Sequence, residues 1–191
     1  LDAALAARAH EGNGPRSLTV SGLRGGHGNG DKVVLRKDDI CTVRVTGLTG
    51  EVSKGLEKVL LSPGRPLWEI EGCAFEIVRS TCDAAENGWA GKTSYEELAA
   101  AVIQAKRRVG PSFTLSFASP VTFKAGQADD MHIPIPLPAL VFGSLVDRWN
   151  AFSPVPLDTN LRQFADQRVA ISQYRLASEM VSQKNKAFRV G

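Results

Sequence analysis

The 191-residue sequence predicts an α+β protein made of two tandem ferredoxin-like (split β-α-β) domains. Three observations carry that expectation. Period-two runs and runs with helical spacing occur in mixed order in both halves. Strand pairs are joined by short turns, whereas a parallel doubly wound sheet needs long helical crossovers. Gly110-Pro111 breaks the chain just before a stretch that restarts with a strand. The boundary therefore falls there, giving a first domain over 1–109 and a second over 110–191. Each is expected to be incomplete, because the chain opens at Leu1 inside a helical pattern and stops at Gly191 without a closing element.

The elements follow in order. Leu1 to His10 is alanine-rich with Leu1 and Leu5 one turn apart, so it reads as a helix end that Gly12 or Gly14 stops. SLTVSGL, Ser17 to Leu23, alternates as a strand, and GGHGNGDK is a loop with the hairpin dipeptide Asn29-Gly30. A second strand runs through VVLR, and DDICTVRVTGL continues or follows it with Val43 and Val45 on one face. EVSKGLEKVLL puts Val52, Leu56, Val59 and Leu60 at helical spacing ahead of Ser62-Pro63-Gly64. WEIEGCAFEIVRS alternates on both sides of Gly72, a turn or bulge. Ser94, three residues before Glu97, gives a capping box for a helix that runs to Lys106, Arg107 and Arg108.

In the second half, SFTLSFASPVTF predicts a strand with Phe113, Leu115 and Phe117 on one face. The IPIPLP connector leads to a helix at about 139–151, whose expected buried stripe is Leu140, Phe142, Leu145 and Trp149. QRVAISQYRL reads as a strand, and EMVSQKNKAFRVG as a basic turn entering another.

Composition narrows the function classes. A formal charge of +3, from 23 Lys and Arg against 20 Asp and Glu, permits a polyanionic partner without requiring one. Cys41, Cys73 and Cys82 are odd in number and lack a C-x-x-C pair, so they are expected to be reduced, intracellular and structural. No apolar run is long enough to span a bilayer and no signal-peptide pattern opens the chain; a soluble, cytoplasmic protein without a membrane partner is expected.

Most candidate sites reduce to plain structure. Gly22 to Asp31 is glycine-dense but lacks the P-loop spacing and a following helix, so a flexible hairpin loop accounts for it. Asp129, Asp130 and His132 are the nearest approach to a metal cluster, yet they occupy a polar turn; no metal and no cofactor are expected. Gly143-Ser144-Leu145 sits inside a helix expected to bury Leu145, so it is no nucleophile elbow. Trp68 and Trp149 lie in amphipathic elements and read as core.

HEGNGPR, His10 to Arg16, is different in kind. Its histidine can exchange a proton near neutral pH, and a helix C-terminus would favour the protonated form. Its arginine stays cationic and offers a fork of donors that fits a phosphate. Together they suit acid–base transfer and charge stabilisation at a phosphodiester, and on RNA the neighbouring 2′-hydroxyl can be the nucleophile. Spacing alone leaves the plainer reading open, in which His10 completes a helix end and Arg16 points to solvent.

HEGNGPRSLTVSGL resembles the His-Glu-x-x-Gly-Pro-Lys/Arg-x-(Phe/Leu)-Thr-x-Ser segment of the CRISPR-associated endoribonucleases that cut precursor repeat RNA, in the repeat-associated mysterious protein superfamily. SFTLSFASPVTFKAG is similar to the strand that opens that family's second domain, and IPLPALVFGSLVDRWNAFSP to its proline-then-helix segment. The resemblance implies paired ferredoxin-like domains that bind precursor CRISPR repeat RNA and cut it once per repeat without metal, leaving a 5′-hydroxyl and a 2′,3′-cyclic or open phosphate. It gives His10 the acid–base role and Arg16 the support of the transition state, with arginine where better-known members carry lysine. A tyrosine that completes the site in some relatives would lie upstream of Leu1, and the family's glycine-rich segment beyond Gly191. Lys106, Arg107 and Arg108, and Lys184, Lys186 and Arg189, are the expected RNA-backbone contacts. Other CRISPR-associated subunits and a second copy of the chain are the further partners to consider. The rival of another class is a non-catalytic RNA-binding subunit of a CRISPR interference complex.

Overall fold

The computed structural model describes residues 14–29, 32–61, 67–70, 72–104, 110, 112–117, 119–124, 132–177, 179–183 and 186–190. In chain order its elements are β1 (Leu18–Val20), β2 (Arg24–Gly25), β3 (His27–Asn29), β4 (Lys32–Val34), β5 (Cys41–Thr42), β6 (Val45–Gly47) and α1 (Gly50–Leu60). There follow β7 (Leu67–Ile70), β8 (Cys73–Glu76), α2 (Tyr95–Gln104), β9 (Phe123–Lys124) and β10 (His132–Ile133). The chain closes with α3 (Pro138–Phe152), α4 (Leu161–Arg168), β11 (Glu179–Gln183) and β12 (Lys186–Val190). Helices and small antiparallel strand pairs are mixed along the chain, the α+β class expected.

Two units divide these elements. In the first, whose described residues fall within 14–21 and 44–100, β1 pairs antiparallel with β6, Leu18 opposite Gly47 and Val20 opposite Val45. The pairing extends at both ends: Leu48 N–H donates to Ser17 O (2.8 Å), and Ser21 N–H donates to Arg44 O (2.9 Å). Helix α1 starts directly after β6 because Thr49 is extended and its hydroxyl accepts from Val52 N–H (3.3 Å), which satisfies a donor that the first turn leaves open. Glu51 in the first turn and Lys58 in the last complement the helix dipole. Val52 is buried at 3 % exposure, while Leu56, Val59 and Leu60 are half-buried, as their spacing predicts.

The β7–β8 hairpin turns at Gly72, whose φ of +77° lies in the left-handed region that favours glycine. Trp68 sits opposite Phe75 and both are half-buried. The capping box of α2 is complete: Glu97 N–H donates to Ser94 Oγ (3.1 Å), and Ser94 N–H donates to Glu97 Oε2 (2.9 Å). That backbone donor, followed by the Thr93 hydroxyl, holds the Glu97 carboxyl below its usual range.

The second unit comprises 22–43 and the described residues beyond 100. The glycine-dense stretch expected as a flexible loop is more ordered than that. It carries β2, paired with β5, and β3, paired with β4 with Asn29 opposite Lys32, so the predicted hairpin reversal falls between β3 and β4. Helix α3 has Pro138 in its first turn, where a missing N–H costs nothing, and it packs against α4. The expected stripe needs correction. Val141, Gly143 and Val146 are buried and Leu145 is 55 % exposed, because the face that meets α4 is the one carrying Gly143. Asn150 locks the following turn, its side chain accepting from Leu157 N–H (2.7 Å) and donating to Leu157 O (2.9 Å).

Two predicted strands are also corrected. Residues 112–117 form no strand, and Phe113, Leu115 and Phe117 are 54 %, 49 % and 41 % exposed. QRVAISQYRL is not a strand either: Gln167 and Arg168 end α4, and 169–176 has no ladder. Alternation marks two faces of an extended chain, but only a partner with matching register makes a strand, and neither run has one among the described residues. Near the C-terminus, β11 pairs antiparallel with β12, Gln183 opposite Lys186, so the stretch expected to begin as a turn begins as a strand. No described helix is long and apolar enough to cross a membrane.

Candidate active site

The described part of the HEGNGPRSLTVSGL segment runs from Gly14, and β1 is its ordered frame. His10 lies outside the described residues. Arg16 is exposed one residue before Ser17, whose carbonyl already accepts from Leu48 N–H, so its backbone is held at the start of the β1–β6 ladder. Among the described residues no ion pair engages its guanidinium.

Three contacts fix the β1–β6 ladder. Ser21, at the far end of the segment, joins Arg44 twice: its N–H donates to Arg44 O, and its Oγ accepts from Arg44 N–H (2.9 Å). Ser53 Oγ of α1 donates to Gly47 O (3.3 Å), opposite Leu18. A Cβ on Gly47 would come within 2.9 Å of Ser53 N, so only glycine lets the first turn of α1 approach the ladder this closely. Tyr95 at the start of α2 donates its hydroxyl to Leu48 O (3.0 Å), tying a second helix to the same strand end. The result is a rigid backbone anchor next to Arg16.

The other expected residues divide. Lys106, Arg107, Arg108 and Lys184 lie outside the described residues. Lys186 and Arg189 lie on β12, opposite Gln183 and Met180, in the second unit. Asp129 and Asp130 are likewise outside the described residues, His132 lies on β10 opposite Lys124, and among the described residues no group of three His, Cys, Asp or Glu side chains is placed to hold a metal. Trp149 reads as structural, its indole N–H donating to Val155 O (2.6 Å).

Two arrangements escaped sequence reasoning. His27 Nε2 lies 3.5 Å from Asp39 Oδ1, while Asp39 Oδ2 accepts from Arg36 N–H (2.7 Å), with Asp38 at φ +69° making the turn. Asp39, twelve residues downstream of His27, gives no local signal of this. The second is Arg44 Cζ, 5.4 Å from the centroid of the Trp89 ring. Trp89 stands in a polar loop with no apolar periodicity, which was the available hint that it is not core.

Comparison with known proteins adds to this geometry. Residues 115–188 match the family model for the CRISPR-associated endoribonuclease Cas6. That segment is similar to Cas6. It takes in α3, α4 and most of the C-terminal hairpin, and so covers most of one and all of the other of the two second-half blocks that carried the resemblance; His10 and Arg16 fall before it. Two solved structures share the fold: the Cas6 (TTHB231) product complex, with TM-score 0.67 and 22% identity, and the Cas6 (TTHA0078) product complex, with TM-score 0.62 and 21% identity. Each alignment covers 98% of this chain and 70% of the Cas6 structure. No curated protein sequence matches. The likeness is thus one of sequence over residues 115–188 and of fold over nearly the whole chain.

Proposed function

We propose that this chain is the metal-independent endoribonuclease that cuts precursor CRISPR repeat RNA, with His10 and Arg16 at its catalytic centre. The Cas6 match over residues 115–188 is the observation that carries the reading, and the HEGNGPRSLTVSGL segment supplies its chemistry. The domain plan that goes with it is two ferredoxin-like domains, 1–109 and 110–191, the first bearing the catalytic segment and the second binding RNA together with Lys106, Arg107, Arg108, Lys184, Lys186 and Arg189.

In this reaction the 2′-oxygen attacks the adjacent phosphorus, the bond from phosphorus to the 5′-oxygen breaks, and a 2′,3′-cyclic phosphate and a 5′-hydroxyl result. One proton must leave the 2′-hydroxyl and one must reach the departing 5′-oxygen. His10 serves one of these transfers. Arg16 places its guanidinium against the non-bridging oxygens as negative charge grows there; it cannot exchange a proton, so its part is electrostatic. The fixed backbone around Ser17 supports this role, because a preorganised donor loses little by reorganising during the reaction.

The test uses the repeat RNA of the source genome. Cleavage should survive EDTA, stop when a deoxynucleotide replaces the ribose before the cut, and fall by roughly 10²–10⁴ in His10→Ala, the range for a lost acid–base group. Unchanged cleavage by His10→Ala would overturn the site, and tight binding of the repeat without cleavage would make the chain a non-catalytic subunit.

A further inference from the structure

Residues 77–94 contain no helix or strand, yet the segment is pinned throughout. Asp83 accepts from Ala85 N–H with its side chain (2.8 Å) and from Asn87 N–H with its carbonyl (3.1 Å). Arg79 pairs with Glu86 (2.9 Å), and Lys92 reaches Glu57 of α1 (2.8 Å). Ser80 Oγ donates to Leu60 O. At the tip, Asn87 holds two donors: its Oδ1 accepts from Trp89 N–H (2.9 Å) and its carbonyl from Ala90 N–H (2.8 Å). A loop this ordered, without regular structure, is a usual carrier of binding residues.

What it carries is Trp89, 54 % exposed. Indole is the largest apolar side chain, and burial is its ordinary outcome; Trp68 and Trp149 in this chain follow that rule as half-buried residues. Trp89 instead presents more than half its surface to water on a fixed turn, with an exposed Arg44 guanidinium 5.4 Å from the ring centroid. Arg44 is the residue paired to Ser21, at the opposite end of the β1–β6 ladder from Arg16. The two arginines thus bracket one strand, their backbones about 15 Å apart along the extended chain.

We infer that Trp89 and Arg44 form a stacking platform for an unpaired base of the RNA, the ring taking the base face and the guanidinium the neighbouring phosphate. This rests on the proposed function, since it assigns the platform to the same RNA that Arg16 engages. The chemistry favours a nucleobase over an apolar protein partner: a half-exposed indole with a guanidinium 5.4 Å from its ring centroid, on a segment that also carries Asp83, Glu86 and Asn87, offers a flat face beside a charge.

The experiment uses the full chain and the repeat RNA of the source genome carrying 2′-O-methyl groups throughout, which cannot undergo 2′-attack. Binding is read by anisotropy, with tryptophan fluorescence read in parallel. Trp89→Ala should weaken binding about tenfold, within the range for one lost base stack, and Trp89→Leu should lose as much because bulk without a π-face does not stack. Trp89→Phe should keep most of the affinity. RNA-induced quenching of wild-type fluorescence should disappear in Trp89→Phe. Replacing one unpaired nucleotide by an abasic one should cost wild type that same factor and cost Trp89→Ala nothing, a coupling that a merely structural tryptophan would not show. If Trp89→Ala binds as wild type does while wild type cleaves the unmodified repeat, the platform falls and the cleavage reading stands. If wild type neither binds nor cleaves the repeat, both fall.

Discussion

Gly47 and Gly143 solve the same problem in different ways. Each allows a neighbour closer than a Cβ would permit, Gly47 at the end of the β1–β6 ladder and Gly143 on the face of α3 that meets α4. At Gly47 the intruding atom would be Ser53 N, 2.9 Å away and part of the first turn of α1. At Gly143 it would be the Arg162 guanidinium, with Nε at 2.8 Å, the far end of a long side chain. Backbone in a capped helix cannot step aside, but a guanidinium can. Equal crowding therefore carries unequal cost, and the unyielding contact is the one beside the β1–β6 ladder.

Gly47→Ala should show the largest effect, a loss of about 2–3 kcal/mol in urea unfolding, since the added methyl must push α1 off the ladder. A loss as small as that of an ordinary surface change would mean that α1 slides as freely as Arg162 swings. Tyr95→Phe tests whether the first region depends on its second helix as well. Removing the hydroxyl that donates to Leu48 O should cost about 1 kcal/mol on the same assay.

Gly143→Ala should come out within about 1 kcal/mol of neutral, because alanine gains up to about 1 kcal/mol of helix propensity while displacing the exposed Arg162–Asp147 pair (2.5 Å), worth no more than that. A loss as large as that of Gly47→Ala would erase the distinction. The smallest effect is on pH dependence. Glu97, through the Ser94 backbone donor, and Glu86, through its hydrogen bond from Arg79, are both held below their ordinary value of 4.5. A depressed carboxyl contributes stability that is present above its unfolded value and lost as pH falls through its folded one. Fraying at the start of α2, followed by amide hydrogen exchange at Glu97, should therefore increase as pH falls below 4.5, and Glu97→Gln should flatten that dependence.

Local chemistry explains which elements could be read in advance. Ser94 and Glu97 are three residues apart, and each satisfies the other's backbone donor without help from elsewhere in the chain. Gly72 forms its turn for an equally local reason. Helix α4 escaped because LRQFADQR offers only Leu161, Phe164 and Ala165 as apolar residues, and its burial rests on Ala165, 2 % exposed against α3. SFTLSF and QRVAIS misled for the opposite reason, since their patterns fit a strand whose partner is not among the described residues. At the site, residue type marked Arg16, whereas Trp89 beside Arg44 depends on where a polar loop returns, a contact between residues 45 apart in sequence.

By itself the sequence determined the chemical vocabulary: the α+β pattern, the capping box, and a histidine and an arginine flanking Glu-Gly-Asn-Gly-Pro, because these depend on residue type and short spacing. Only the tertiary structure decided which side of α3 is buried, that Arg16 precedes a strand whose ladder is held by Ser21, Ser53 and Tyr95, and that Trp89 is presented on a fixed loop. Those outcomes turn on non-local packing. Two faces of one helix, or two tryptophans in one chain, differ less in their own chemistry than in what the rest of the fold brings against them.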